Sequence, residues 1–167
     1  MKIKRGGTAA EFITDALLLL MKKKPYEKIT ITEICEKAGT TRMSFYRNFE
    51  SKEDIVKKHV QEITDSFVTE SEISYKNDST QVYFNKLFMH FEKNMTFTKA
   101  LYQAGLIHLV KEEFDRIFLS IHKDEYDDFK SCFLAGGIYN IFLLWLEKGC
   151  RESPRELAEK LVGILEK

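Results

Sequence analysis

The sequence is poor in the residues that break or staple a chain. Two prolines and eight glycines in 167 residues are too few for the turn density of a β fold, so the composition leans helical. The three cysteines, Cys35, Cys132 and Cys150, are odd in number and far apart, with no CxxC pair and no histidine at ligand spacing. That leaves neither a disulfide framework nor a metal site to expect, and fits reduced thiols in a cytoplasmic protein. Long apolar runs are missing near the N-terminus: Leu17 to Met21 is far too short to cross a membrane and has no small-residue cleavage site, so neither membrane nor export is expected. Catalytic signatures are missing as well. No HExxH, P-loop, GxGxxG or GxSxG occurs, and Glu112-Glu113 and the DEYDD run at 124–128 fit solvated helix ends better than a working carboxylate pair. No enzyme, catalytic residue or cofactor is expected.

Net charge is also missing, with 26 basic against 26 acidic residues, but the balance hides a division. Residues 1–58 carry 13 Lys or Arg against 8 Asp or Glu, and the remainder carries 13 against 18. A basic head on an acidic body attracts phosphates at one end and repels them at the other, which would orient an encounter with nucleic acid.

The apolar residues supply the elements. Thr8 to Glu11 fits a capping box, followed by Phe12, Ile13, Ala16, Leu17 and Leu20 on one helical face, which predicts a helix to about Lys24 that Pro25 stops. A second box, Thr30 to Glu33, opens a helix with Ile31, Ile34, Cys35 and Ala38 inward and Gly39 at its end. Thr41 then caps a third helix with Phe45 and Phe49 on one face, and Ser51 to Asp54 opens a fourth, running to about Glu70. Helices this short are not stable singly, so Phe12, Leu17, Ile34, Phe45, Phe49 and Ile55 should form one small core. Polar residues 71–80 suggest a hinge. Helical patterns fill the rest: Val82 to Phe91, Leu101 to Gly105, Leu106 to about His122, Glu125 to Gly149, and a last one opened by Ser153-Pro154-Arg155-Glu156.

The segment 30–49 has the parts of a DNA-reading helix-turn-helix: a capped support helix, a tight glycine turn and a short second helix. With Phe45 and Phe49 inward, Met43, Ser44, Tyr46 and Arg47 point outward, and Arg42 can reach round from the first turn. Arginine suits a bidentate contact with guanine, Ser and Tyr suit phosphate, and Met can lie on a thymine methyl. Lys52, opening the fourth helix, is expected on phosphate. Spacing alone serves equally well a small three-helix core with an ordinary polar face.

The run Ile29 to Ile55, ITITEICEKAGTTRMSFYRNFESKEDI, with the helix before it, resembles the DNA-binding head of the TetR family of bacterial transcriptional regulators. The likeness covers about a third of the chain. It implies an all-α subunit of about nine helices, with a three-helix helix-turn-helix head at 1–58 and a helical effector-binding and dimerisation bundle at 59–167. It further implies a homodimer on a palindromic double-stranded DNA operator, usually a repressor that a small-molecule effector releases. Carried over position by position, Thr32, Thr41, Arg42, Met43, Ser44, Tyr46, Arg47 and Lys52 would face DNA. One position departs from the pattern, since a small residue is common where Met43 stands. The stretch GGIYNIFLLWLEKGCRESPRELAEKL at 136–161 is similar to the C-terminal part of several poorly characterised members, for which activator and co-regulator roles are also open.

The body is rich in aromatics, which at helical spacing mostly mean core. Phe84, Phe88, Phe91, Tyr102, Phe118, Phe133 and Tyr139 are the candidates to line a pocket for an apolar or aromatic ligand. His90, His108 and His122 are expected to be partly exposed helix residues without a role. The helix at 125–149 is apolar nearly all round, and Ala135-Gly136-Gly137 would admit a close partner helix. With the stripe on the last helix it could build a two-fold four-helix interface through Ile138, Ile141, Trp145, Leu157, Leu161 and Ile164. A helical protein-interaction module that binds no DNA is the competing reading.

Overall fold

The computed structural model describes residues 7–70, 79–123 and 126–165, and among these the chain forms nine α-helices, one 3-10 turn and no strand. The expected hinge falls almost wholly outside the described residues, as do most of the basic N-terminal stretch and the predicted start of the long helix at Glu125. The chain divides into two compact units, Met1–Glu62 with Ala100–Leu109, and Ile63–Lys99 with Val110–Lys167.

In the first unit α1 (Ala9–Met21) opens on the expected box: the Thr8 hydroxyl accepts from the Glu11 amide and the Glu11 carboxylate accepts from the Thr8 amide. The helix buries Ile13, Ala16 and Leu17. It ends three residues before Lys24, because its last turn tightens, with the Lys23 amide on the Leu20 carbonyl at 2.8 Å, and a residue preceding proline avoids helical backbone. A 3-10 turn, Tyr26–Lys28, fills the gap.

The next helix, α2 (Ile31–Ala38), repeats the box with Thr30 and Glu33 and buries Ile34 and Cys35. Gly39 ends it at φ 65°, ψ 34°, left-handed backbone that a side chain would strain. The Thr40 amide then reaches back to the Cys35 carbonyl at 2.9 Å. Thr41 caps α3 (Arg42–Asn48), and Ser51 and Asp54 open α4 (Lys52–Glu70), with the Asp54 amide donating to Ser51 Oγ at 3.1 Å and the Glu50 amide, one residue before Ser51, donating to Asp54 Oδ2 at 3.0 Å. The three short helices α1, α2 and α3 pack on one another, and Leu17, Ile34, Phe45, Phe49 and Ile55 are buried as expected, while Phe12 is only half-buried.

The second unit holds α5 (Thr80–Lys93), opened by Ser79, the start of α6 (Met95–Gln103), most of α7 (Ile107–His122), then α8 (Asp128–Glu147) and α9 (Pro154–Leu165). Asp127 caps α8, its carboxylate accepting from the Lys130 amide at 2.9 Å. Ser153 and Glu156 form the predicted box on α9, and the Ser153 amide and hydroxyl hold the Glu156 carboxyl below its ordinary range. The helix α5 packs along α9. Between the helices lies one aromatic cluster: Phe91 and Phe142 rings are 4.2 Å apart, Phe88 meets Trp145 edge-on at 6.1 Å, and Phe114 contacts Phe118 and Tyr139.

Candidate nucleic-acid interface

The outward face of α3 follows from its inward one. Phe45 is fully buried, with Phe49 6.1 Å and Tyr46 5.3 Å away ring to ring, and at 100° per residue this turns 43, 46 and 47 to solvent, while Arg42, only about 60° from Phe45, is exposed because it stands in the first turn. Arg42 and Arg47 are exposed, Met43 is 75% exposed and Tyr46 53%. Thr32 and Thr41 are exposed as well, although the Thr41 hydroxyl is engaged as a cap, accepting from the Ser44 amide at 3.1 Å. Ser44 is half-buried. Seven of the eight residues expected at DNA thus lie on or at the edge of one short segment or on the helix before it.

Lys52 is the exception. Its ammonium donates to the carbonyls of Tyr26 at 2.8 Å and Ile29 at 3.0 Å, lies 3.4 Å from that of Glu27, and sits 4.3 Å over the Tyr26 ring. The charge expected on phosphate closes the 3-10 turn instead, fixing the start of α4 to the loop before α2. Burial pushes the Tyr26 phenol up to about 12, with help from Glu53 and Glu27, so the ring beneath Lys52 stays neutral.

Two further anchors escaped the sequence reading. Lys58 donates to the Asn48 carbonyl at 2.9 Å and to Asp54 at 3.0 Å, over the Phe49 ring at 5.0 Å, which ties the end of α3 to α4. Its i+4 spacing from Asp54 was a legible signal. Lys24 pairs with Glu33, nine positions on, and no periodicity announces such a pair. The Lys24 ammonium, then the Thr30 amide and hydroxyl, hold the Glu33 carboxyl at about 2.

The expected pocket residues do not all meet. Phe84, Phe88, Phe91, Phe118 and Tyr139 belong to the aromatic cluster of the second unit. Phe133 is 76% exposed on α8, and Tyr102 is exposed on the part of α6 that belongs to the first unit. Burial, then the nearby Asp115 charge, pushes the Tyr139 phenol up to about 12. His122, given no role, is fully buried: Tyr83 Oη lies 3.4 Å from its Nε2, and the Phe118 and Tyr126 rings flank it at 4.4 and 5.3 Å.

The expected interface residues divide too. Ile138, Trp145, Leu157 and Leu161 are core of their own subunit, Trp145 also donating from Nε1 to the Glu152 carbonyl at 2.9 Å. Ile164 is exposed and Ile141 half-buried, and both line a groove of about 200 Å³ with Leu144 and Lys160. The exposed side of α8 carries Phe129, Phe133 and Leu144. Around Gly136 and Gly137 nothing lies within 4 Å of where a Cβ would stand.

Two family models match the chain: one described as bacterial regulatory proteins, tetR family, over residues 13–58, and one described as transcriptional regulator C-terminal region, over residues 78–167. A curated relative, the uncharacterized HTH-type transcriptional regulator YxbF of Bacillus subtilis (strain 168), is 25% identical over 167 residues, which is 89% of this chain and 42% of that protein. The chain therefore spans less than half the length of that relative. Among solved structures, the fatty acid degradation regulator FadR from Bacillus halodurans superposes with a TM-score of 0.66 at 20% identity, covering 97% of this chain and 96% of that one. The dihydroxyacetone kinase operon activator DhaS gives 0.64 at 18%, covering 94% and 93%. At such identities both likenesses speak to the fold alone.

Proposed function

Because the chain belongs to the tetR family of bacterial regulatory proteins and is a transcriptional regulator with a helix-turn-helix DNA-binding domain, we propose that it is a cytoplasmic homodimeric repressor of a palindromic operator. A small apolar or aromatic effector releases it. The observation that carries the reading is the outward face of α3, where Arg42, Met43, Tyr46 and Arg47 stand exposed over a buried Phe45. Two guanidinium groups with a phenol on so short an arc match base edges and phosphates better than they match water alone.

Residues 1–58 act as the head and 59–167 as the effector-binding and dimerisation domain. Lys52 serves DNA binding indirectly, by fixing the loop against which α3 is set. Two copies meet through α8 and α9, and the contact falls on the exposed side: Phe129, Phe133, Ile141, Leu144 and Ile164, with Gly136 and Gly137 admitting the partner backbone. The effector contacts are drawn from Phe84, Phe88, Phe91, Phe118 and Tyr139.

The test is a footprint of the purified protein on the DNA upstream of its own gene, paired with a reporter driven from that DNA. Two protected half-sites about 34 Å apart or a near multiple, with reporter output rising when the protein is removed, is the expected result. Protection with output that falls on removal would overturn the repressor sign. Absence of protection on this DNA and on randomised duplexes would leave the competing protein-interaction module.

A further inference from the structure

We infer that Met43 reads a thymine, packing its thioether arm against the C5 methyl group in the major groove; this rests on the DNA-binding reading above and names one base that the head selects. Met43 is the second residue of α3 and 75% exposed. It stands on the same outward arc as Tyr46 and Arg47, three and four residues on, where side chains are neighbours. A thioether donates no hydrogen bond and accepts only weakly, so the Met43 side chain offers phosphate oxygens nothing. In the major groove the thymine methyl is the one apolar group that projects from a base edge, and an apolar side chain can pack on it without leaving a base donor or acceptor unpaired. The unbranched, polarisable arm adapts to such a contact. Tyr46, one turn on, is itself held edge-on against Phe45 at an interplanar angle of 81°.

The experiment uses the full chain. Its operator is first enriched from randomised duplexes, and each thymine of the enriched sequence is then replaced singly by deoxyuridine, which removes only the methyl group. Binding is measured by fluorescence anisotropy for the wild type, Met43→Ala and Met43→Leu. One thymine per half-site should matter to the wild type, its replacement weakening binding about fourfold per half-site, the worth of one buried methyl. Met43→Ala, which removes the contact in both half-sites, should bind the thymine operator about sixteenfold more weakly and ignore uracil at that position, whereas Met43→Leu should keep the uracil penalty. Because the side chain is exposed, all three proteins should melt at the same temperature. Wild-type indifference to uracil at every position, or an undiminished penalty in Met43→Ala, would overturn the inference and leave the DNA-binding reading standing. Failure to enrich any duplex would overturn both.

Discussion

The first unit holds helices of 13, 8 and 7 residues, each opened by its own threonine cap, around a small core, while in the second longer helices lean on ring against ring from distant parts of the chain. In the head, local backbone bonds fix where each helix begins and side-chain anchors such as Lys52 and Lys58 fix the loops between them. In the body, the cluster from Phe84 to Trp145 is tied by ring contacts between distant positions, such as Phe88 with Trp145 and Phe91 with Phe142. The difference suits the two tasks proposed above. A recognition helix must be presented in one orientation, whereas an aromatic interior of interchangeable apolar contacts can admit a ligand by modest repacking.

The largest effect should come from Phe45→Ala, which empties a fully buried ring site in the head and should cost about 3–5 kcal/mol. The single tryptophan, Trp145, lies in the body. Its fluorescence should therefore melt near the wild-type temperature while circular dichroism shows an earlier loss of helix and DNA binding disappears. Coincident shifts in both signals would mean that the two units unfold as one block, and the comparison would lose its footing.

Next in size is Phe133→Glu, on the exposed side of α8. It should weaken dimerisation by about 2 kcal/mol or more, the size expected of an interface hot spot, and leave the melting of the isolated subunit near wild type. Sedimentation reads the association directly. A variant that stays dimeric but loses ordered structure would place Phe133 in the core, which its exposure opposes.

The smallest effect is electrostatic and confined to the head. The Glu33 carboxyl is depressed to about 2 from an ordinary 4.5, so its contribution is full above about pH 4.5 and is lost as pH falls toward 2. Glu33 and its partner Lys24 are both only part-buried, so solvent screens the pair and the effect is slight. The stability difference between wild type and Glu33→Gln, followed by denaturant titration, should shrink over that window and vanish at its lower end. A difference that stays constant across the window would place the role of Glu33 in its capping geometry.

What could be read from the sequence follows the same division. Caps act within four residues, so Thr8, Thr30, Thr41 and Ser153 announced their helices, Gly39 announced its turn, and the spacing of Phe45 and Phe49 gave the faces of α3. The pair Lys24 and Glu33, and the turn that Lys52 closes, depend on how nonhelical backbone folds back, which no period encodes. In α8 the apolar residues run nearly all round, so angle alone does not say which side faces the core. Trp145 and Phe133, twelve residues apart, were assigned to surface and pocket, and the fold exchanges them because Trp145 meets Phe88 and the Glu152 carbonyl while Phe133 is left outside.

The most direct test of the central claim is the affinity of Arg42→Ala/Arg47→Ala for the enriched operator and for unrelated duplex, measured with salt concentration held fixed. The two side chains are exposed and take part in no packing that the caps and Phe45 do not already secure, so the double variant should melt like the wild type. It should lose about 10- to 100-fold in operator affinity per arginine, with a smaller loss on unrelated DNA, so that the preference between them collapses. An unchanged preference would contradict the account and move recognition away from α3.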